Sequence, residues 1–346
     1  MEEIKLTQYS HGSGCGCKIA PDVLEQILNH SKTRPHFEKL LVGNDTRDDA
    51  AVYDLGNGTA LISTVDFFTP IVDDAFDFGR IASANAISDI YAMGGKPILA
   101  NAILGWPVGK LSPELAAKVT EGAAAICAEA GIPLAGGHSI DSPEPIFGLS
   151  VNGLTEIKNI KKNAGAREGD LLYTTKKIGV GILSTALKRG VILPQHKEIL
   201  LKQLVTLNSV GEKAGKLKYV TAMTDITGFG LLGHLIEMAE GSSCSAQISY
   251  SAVPLIEGLQ EYTSKMIVPD NLYRNWNSYE KKVKNIGAES FFTLSDPQTN
   301  GGLLMAVDPA HQKDFEDFLK QNHLGEFAKP LGKITAKGSH SIEVHE

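Results

Sequence analysis

The sequence predicts a two-domain α/β (α+β) protein, and three observations carry that prediction. Its 346 residues exceed what one hydrophobic core usually serves. β-Branched runs alternate with helical patterns along most of the chain. A polar, charged stretch over 158–168 separates two such alternations and reads as a linker. One domain is therefore expected over 1–155 and a second over 168–346.

The first half opens on a glycine-rich segment, about 1–20, with too little apolar surface to be fixed on its own; it is expected to order only when something binds. A short helical pattern follows, with Val23, Leu24, Ile27 and Leu28 at helical spacing. Ala60-Leu-Ile-Ser-Thr-Val-Asp66 reads as a buried strand ending on a carboxylate. Residues 78–93 read as an Ala-rich helix, with Ile81, Ala84, Ile87 and Tyr91 on one side and a separate polar stripe of Asn85, Ser88 and Asp89. Met93-Gly-Gly95 ends it. A strand at 98–104 precedes Ser112-Pro113-Glu114, a helix start that predicts helix to about Ala130. Strands at 132–135 and 146–154 complete this half. In the second half the pattern predicts strands at 171–175, 219–223, near 246–250, at 289–294 and at 303–307. Helices are expected from Gly181, over 197–215 and over 230–239.

Composition narrows the chemistry. The formal charge is −7 and no Lys/Arg-rich run breaks it, so a nucleic-acid partner lacks its electrostatic footprint. A polyphosphate ligand on so acidic a chain would need divalent cations held by carboxylates. No secretory signal is expected, and no apolar run approaches the ~20 residues that span a bilayer. Four cysteines, two of them together in the glycine-rich opening, fit a cytoplasmic protein with a special thiol pair better than a disulfide framework.

Four features could carry chemistry. In Cys15-Gly-Cys-Lys18 the glycines leave sulfur accessible, and Lys18 or His11 could lower a thiol pKa; half of a zinc site is the alternative. In Gly43-Asn-Asp-Thr-Arg-Asp-Asp-Ala-Ala51, Asp48 and Asp49 point apart on an extended chain; a solvated turn is the alternative, against which the apolar continuation draws them towards a core. Asp66, Asp89 and Asp225 are isolated acids in apolar or glycine-rich contexts, where a carboxylate must be paired, hydrogen-bonded or bound to metal. For Asp225, or Thr227, capping of the 230–239 helix is the alternative. Finally, Ala135-Gly-Gly-His-Ser-Ile140, read as a loop after a strand, offers backbone N–H groups and the Ser139 hydroxyl to a phosphate or base. Neither a P-loop nor a protein-kinase glycine-rich loop is present.

Together these motifs resemble the selenophosphate synthetases (selenide, water dikinases), within a superfamily similar to aminoimidazole ribonucleotide synthetase. The likeness runs over nearly the whole chain and includes Thr46-Arg-Asp-Asp49, Thr64-Val-Asp66, Asn85-Ala-Ile-Ser-Asp89, Gly136-Gly-His-Ser139 and Thr224-Asp-Ile-Thr-Gly-Phe-Gly230, with Cys15-Gly-Cys-Lys18 marking the selenium branch. The resemblance implies a homodimer whose N-terminal domains form a shared β-barrel-like interface, a C-terminal mixed α/β domain, and the conversion of ATP, selenide and water to selenophosphate, AMP and phosphate. That product supplies activated selenium for selenocysteine and selenium-modified tRNA. It implies catalytic roles for Cys15 and Lys18, and Mg²⁺ held by Asp49, Asp89 and Asp225. It implies nucleotide contacts from Lys18, Thr46, Arg47, Asp48, Asp66, Asp89, Gly137, His138 and Ser139. One departure is Asn300 in Asp296-Pro-Gln-Thr-Asn-Gly-Gly302, where the family leads one to expect serine.

Overall fold

The computed structural model describes residues 4–10, 12–14, 27, 36–43 and 48–346. Cys15, Cys17, Lys18, Thr46, Arg47 and His11 lie outside the described residues, as does the early helical pattern apart from Ile27.

The first half builds one six-stranded sheet from β1 (Leu40–Val42), β2 (Ala51–Asp54), β3 (Thr59–Phe68), β4 (Lys96–Trp106), β5 (Leu134–Asp141) and β6 (Ile146–Glu156), in the order β1-β2-β3-β6-β4-β5. Strands β3 and β6 pair antiparallel over ten residues, while β4 and β5 run parallel. Alternation along β3 buries Ala60, Ile62, Thr64 and Phe68 and exposes Val65 and Phe67, so the sheet has one covered face and one open face. Among the described residues the sheet has two edges, β1 and β5, and does not close into a barrel.

Helices α1 (Ala75–Ala92) and α2 (Pro113–Glu129) cover the inner face. Asp74 caps α1 through a bond from the Asp77 N–H at 2.8 Å, and Gly94 ends it in a left-handed conformation (φ +74°). The two helices touch through glycines: a Cβ on Gly79 would lie 1.9 Å from the Val119 carbonyl oxygen, and one on Gly122 would lie 2.0 Å from that of Phe76. Helix α1 is buried nearly all round, because its polar stripe faces the second half of the molecule rather than water.

The second half builds a seven-stranded mixed sheet, β10-β13-β9-β12-β7-β11-β8. Its strands are β7 (Leu171–Thr174), β8 (Val220–Asp225), β9 (Ser245–Ser249), β10 (Val283–Lys284), β11 (Leu303–Val307), β12 (Gly332–Thr335) and β13 (Ile342–His345). The accompanying helices are α3 (Val180–Lys188), α4 (Pro194–Val205), α5 (Val210–Gly215), α6 (Gly230–Gly241), α7 (Gln260–Thr263), α8 (Asp270–Tyr279), α9 (Ala288–Leu294) and α10 (Gln312–Gln321).

Several sequence expectations are corrected here. The single helix over 197–215 is two, α4 and α5, broken at 206–209 where Asn208 turns inwards to bond Ser88 and the Gly301 carbonyl. The strand expected at 289–294 is helix α9; its apolar run Phe291-Phe-Thr-Leu294 is too short for periodicity to separate the two states. The 158–168 linker is packed against the second half rather than free in water: Lys161 is buried and its ammonium donates to the Leu217 and Val220 carbonyls at 2.8 and 2.7 Å. The 135–140 segment is not a loop but part of β5, extended by its parallel register with β4. No helix among the described residues is long and apolar enough to cross a membrane.

Candidate active site: an aspartate basin between the two sheets

Four elements deliver carboxylates to one region, and each carboxylate is held by a short polar bond. Asp66, near the end of β3, accepts from Asn85 Nδ2 at 2.6 Å. Asp89, on α1, accepts from Thr64 Oγ1 of β3 at 2.5 Å. Asp225, the last residue of β8 and only 1% exposed, accepts from Ser88 Oγ at 2.6 Å. Asp49, just before β2, accepts from Thr224 Oγ1 at 2.8 Å. Beside it Asp48 accepts from the Asn163 N–H at 2.8 Å, so the two neighbours do point apart. Two members of the α1 stripe, Asn85 and Ser88, thus orient acids from β3 and β8, and the third, Asp89, is itself one of the acids. The 3.6-residue period of the helix allows this by setting residues i, i+3 and i+4 on one face.

Crowding like charges away from water has an electrostatic consequence. Burial holds the Asp49 carboxyl well above the usual carboxylate range, and the charges of Asp225 and then Asp89 push it further, against the Thr224 hydroxyl that favours ionisation. Its Oδ2 is closed to solvent and has no hydrogen-bond partner among the described residues. Mutually repelling oxygen donors, one of them unsatisfied, suit a hard divalent cation. Among the described residues no three His, Cys, Asp or Glu side chains are already gathered into a metal cage, so such an ion would have to draw the carboxylates together.

On the far side of Asp225 lies Lys176, buried to 6% exposure, whose ammonium donates to the Thr206 and Asn300 carbonyls at 2.7 and 2.8 Å. Burial pushes its pKa down to about 7, with Asp225 opposing the shift.

The remaining sequence candidates are placed differently. Asp225 and Thr227 do not cap α6: Asp225 ends a strand, the Thr227 hydroxyl pairs with His234 Nε2 at 3.2 Å, and the residue at the cap position is Phe229. Gly137, His138 and Ser139 sit exposed on the edge strand β5. Register carries Asp66 across Leu149 and Ala102 to Gly137, three strand spacings away, or roughly 14 Å. Gly137 and Ser139 share the inner face with Asp66, whereas His138 belongs to the outer face with Phe67. Cys127 is a free core thiol with its pKa raised by burial to about 11, far from a nucleophile's needs.

Sequence reasoning gave Thr64 and Thr224 no role, though both stand in motifs that carry the resemblance, and it missed Asn208 and Lys176, whose types give no signal outside the tertiary structure. For Asn85 and Ser88 the helical stripe was the available signal.

A two-domain chain with a carboxylate basin between two sheets defines a class, and comparison with known proteins agrees with it. Residues 47–155 match the family model of the AIR synthase related protein N-terminal domain, and 167–345 match that of the C-terminal domain. The chain is 54% identical over 344 residues to a selenide, water dikinase of Colwellia psychrerythraea, covering 99% of both chains. It is 52% identical over 343 residues to one of Pseudomonas putida, again with 99% coverage of each. Among solved structures, the hydrogenase maturation protein HypE in complex with ATP shares the fold, with TM-score 0.65, 19% identity and coverage of 98% of this chain and 94% of that one. The chain therefore belongs to the AIR synthase related proteins and, within them, to the selenide, water dikinase family.

Proposed function

We propose that the aspartate basin holds ATP while its γ-phosphoryl group passes to selenide, giving selenophosphate, AMP and phosphate. The observation that carries the reading is the convergence of Asp49, Asp66, Asp89 and Asp225 from four elements onto one region, each oriented by a partner from the same chain. In the transfer the β,γ-anhydride P–O bond breaks and a P–Se bond forms; water then cleaves the remaining anhydride to leave AMP and orthophosphate.

Asp49, Asp89 and Asp225 would hold Mg²⁺, which when bound neutralises charge on the triphosphate oxygens. Thr46, Arg47, Asp48 and Asp66 would contact the nucleotide, as would Gly137, His138 and Ser139. Cys15 would serve selenide, and Lys18 would stabilise phosphate charge. Covering the site excludes water that competes with selenide for phosphorus.

A homodimer is supported by the open sheet face, where Tyr53, Val65, Phe67 and Ile140 lie exposed on one side and β5 presents a free edge. Two such faces packed together would complete the barrel that a single chain leaves open. They would also bring each β5 against a second copy, a route by which Gly137 to Ser139 could reach a nucleotide other than across their own sheet. A cytoplasmic setting fits the reactive thiol.

The reaction is tested by incubating the protein with ATP, Mg²⁺ and selenide and following products by phosphorus NMR. A P–Se resonance accompanied by AMP is expected; ATP turnover that ignores selenide would exclude the reading. A Cys15→Ser variant that still made selenophosphate normally would remove the thiol role.

A further inference from the structure

The motif Asp296-Pro-Gln-Thr-Asn-Gly-Gly302 is buried throughout, yet none of it belongs to the basin. Its first half is spent on the start of α3: Asp296 Oδ2 accepts from the Gly181 N–H at 2.9 Å, and Gln298 Oε1 from the Gly179 and Val180 N–H groups at 3.3 and 3.2 Å. The second half reaches the basin from behind.

Asn300 holds a left-handed backbone (φ +47°), a conformation asparagine tolerates better than most residues. Its N–H donates to Asn85 Oδ1 at 2.7 Å, and Asn85 in turn holds Asp66. Its side-chain amide donates to the Leu204 and Thr206 carbonyls at 2.7 and 3.0 Å. Next to it, the Gly301 carbonyl accepts from Asn208, which also donates to the Ser88 hydroxyl that holds Asp225. On the other side, Thr299 packs against Gly14: a Cβ on Gly14 would lie 2.6 Å from Thr299 Oγ1 and 2.7 Å from Ile71 Cδ1. Gly14 is pinned there by its N–H bond to the Thr69 carbonyl at 3.1 Å, and it is the residue bonded to Cys15. One turn of three residues therefore touches the supports of Asp66, the supports of Asp225, and the start of the thiol-bearing segment. Lys176 clasps that turn from below through the Asn300 carbonyl.

We propose that Lys176 and Asn300 are positioning residues for phosphoryl transfer, fixing the 299–301 turn as the joint that registers the segment leading to Cys15 against the carboxylates of Asp66 and Asp225. The inference rests on the functional reading above. Neither residue touches the reacting atoms. Their effect is geometric, and displacements of ~1 Å at a reacting centre cost on the order of 100-fold in rate.

A loosened joint has a signature that a generally weakened fold lacks. With Gly14 and the carboxylates no longer held in one register, water replaces selenide at the γ-phosphorus, and ATP plus two waters becomes AMP plus two phosphates. The P–O bond that breaks is the same, but oxygen rather than selenium is joined to phosphorus, and the water protons go to solvent. The ratio of selenophosphate to AMP therefore falls.

The experiment measures both products, by phosphorus NMR and nucleotide chromatography, for wild type, Lys176→Met and Asn300→Gly. Asn300→Gly keeps the backbone conformation with its N–H and C=O bonds and removes only the side-chain amide, so it decides the matter if Lys176→Met does not fold. The wild type is expected to yield one selenophosphate per AMP, and at least one folded variant to yield roughly fivefold fewer. Variants that slow both products together and keep the ratio at one would overturn the positioning role. A wild type that makes no P–Se bond overturns the functional reading itself and this inference with it, a result distinct from the first.

Discussion

Lys176 offers a stability measurement whose sign and size follow from its surroundings. Its folded pKa, about 7, lies below the ordinary lysine value of 10.5 because burial disfavours the charged form. Between those two values the unfolded chain retains a proton that the folded chain has released. Stability from this group therefore rises as pH rises through that window. Linkage over the two pKa values gives a gain on the order of 3 kcal/mol between pH 7 and pH 10, a ceiling for a group this buried. In Lys176→Met the increment disappears. The loss of the donor to the Asn300 carbonyl costs about 1–3 kcal/mol, but at every pH alike, while the Thr206 carbonyl still accepts from the Asn300 side chain. Urea unfolding of both proteins at pH 7 and pH 10 isolates the effect as a difference of differences, in which every other titrating group cancels. Pairs of curves whose pH increments agree within about 1 kcal/mol would refute the assignment of a strained, buried ammonium at this position.

Other perturbations have equally definite outcomes. Asp49→Asn removes a buried carboxylate repelled by Asp225 and Asp89, so the ligand-free protein should gain about 1 kcal/mol near neutral pH while losing the stabilisation conferred by Mg²⁺ and a non-hydrolysable nucleotide. Thermal melts with and without those ligands read both effects. Phe67→Asp puts a charge on the open sheet face, where Phe67 is 50% exposed in one chain, and sedimentation should then report monomer where the proposed arrangement makes the wild type a dimer. Gly122→Ala drives a methyl group to 2.0 Å from the Phe76 carbonyl and should destabilise the fold by about 3 kcal/mol, seen as a lowered urea midpoint.

Much of the basin was legible in the sequence because isolated acids in apolar surroundings announce a constraint. Asp66 at a strand end, Asp89 inside an Ala-rich helix and Asp225 before a glycine cluster could each be singled out on that ground, and α1 with its polar stripe was legible from periodicity. The structure adds why the stripe exists: Asn85 and Ser88 orient acids that α1 itself does not carry. Periodicity failed at 289–294, where the run was too short to distinguish helix from strand, and at 197–215, where a helical pattern continues across a break imposed by Asn208. The strand β5 was read as a loop because glycines mark turns, whereas here a parallel neighbour holds them extended.

Residue types and their order were enough to determine the class of fold, the acids of the basin and the cysteine–lysine motif, since these depend on local pattern and on the cost of burying charge. Only the tertiary structure decided which hydroxyl or amide holds which acid, that Lys176 lies behind Asp225, and that the 299–301 turn meets both domains. The bonds of Ser88 to Asp225, of Lys176 to Asn300 and of Asn300 to Asn85 join residues more than a hundred positions apart, and no local preference of the chain encodes a hydrogen bond across such a distance until the two sheets have closed on α1.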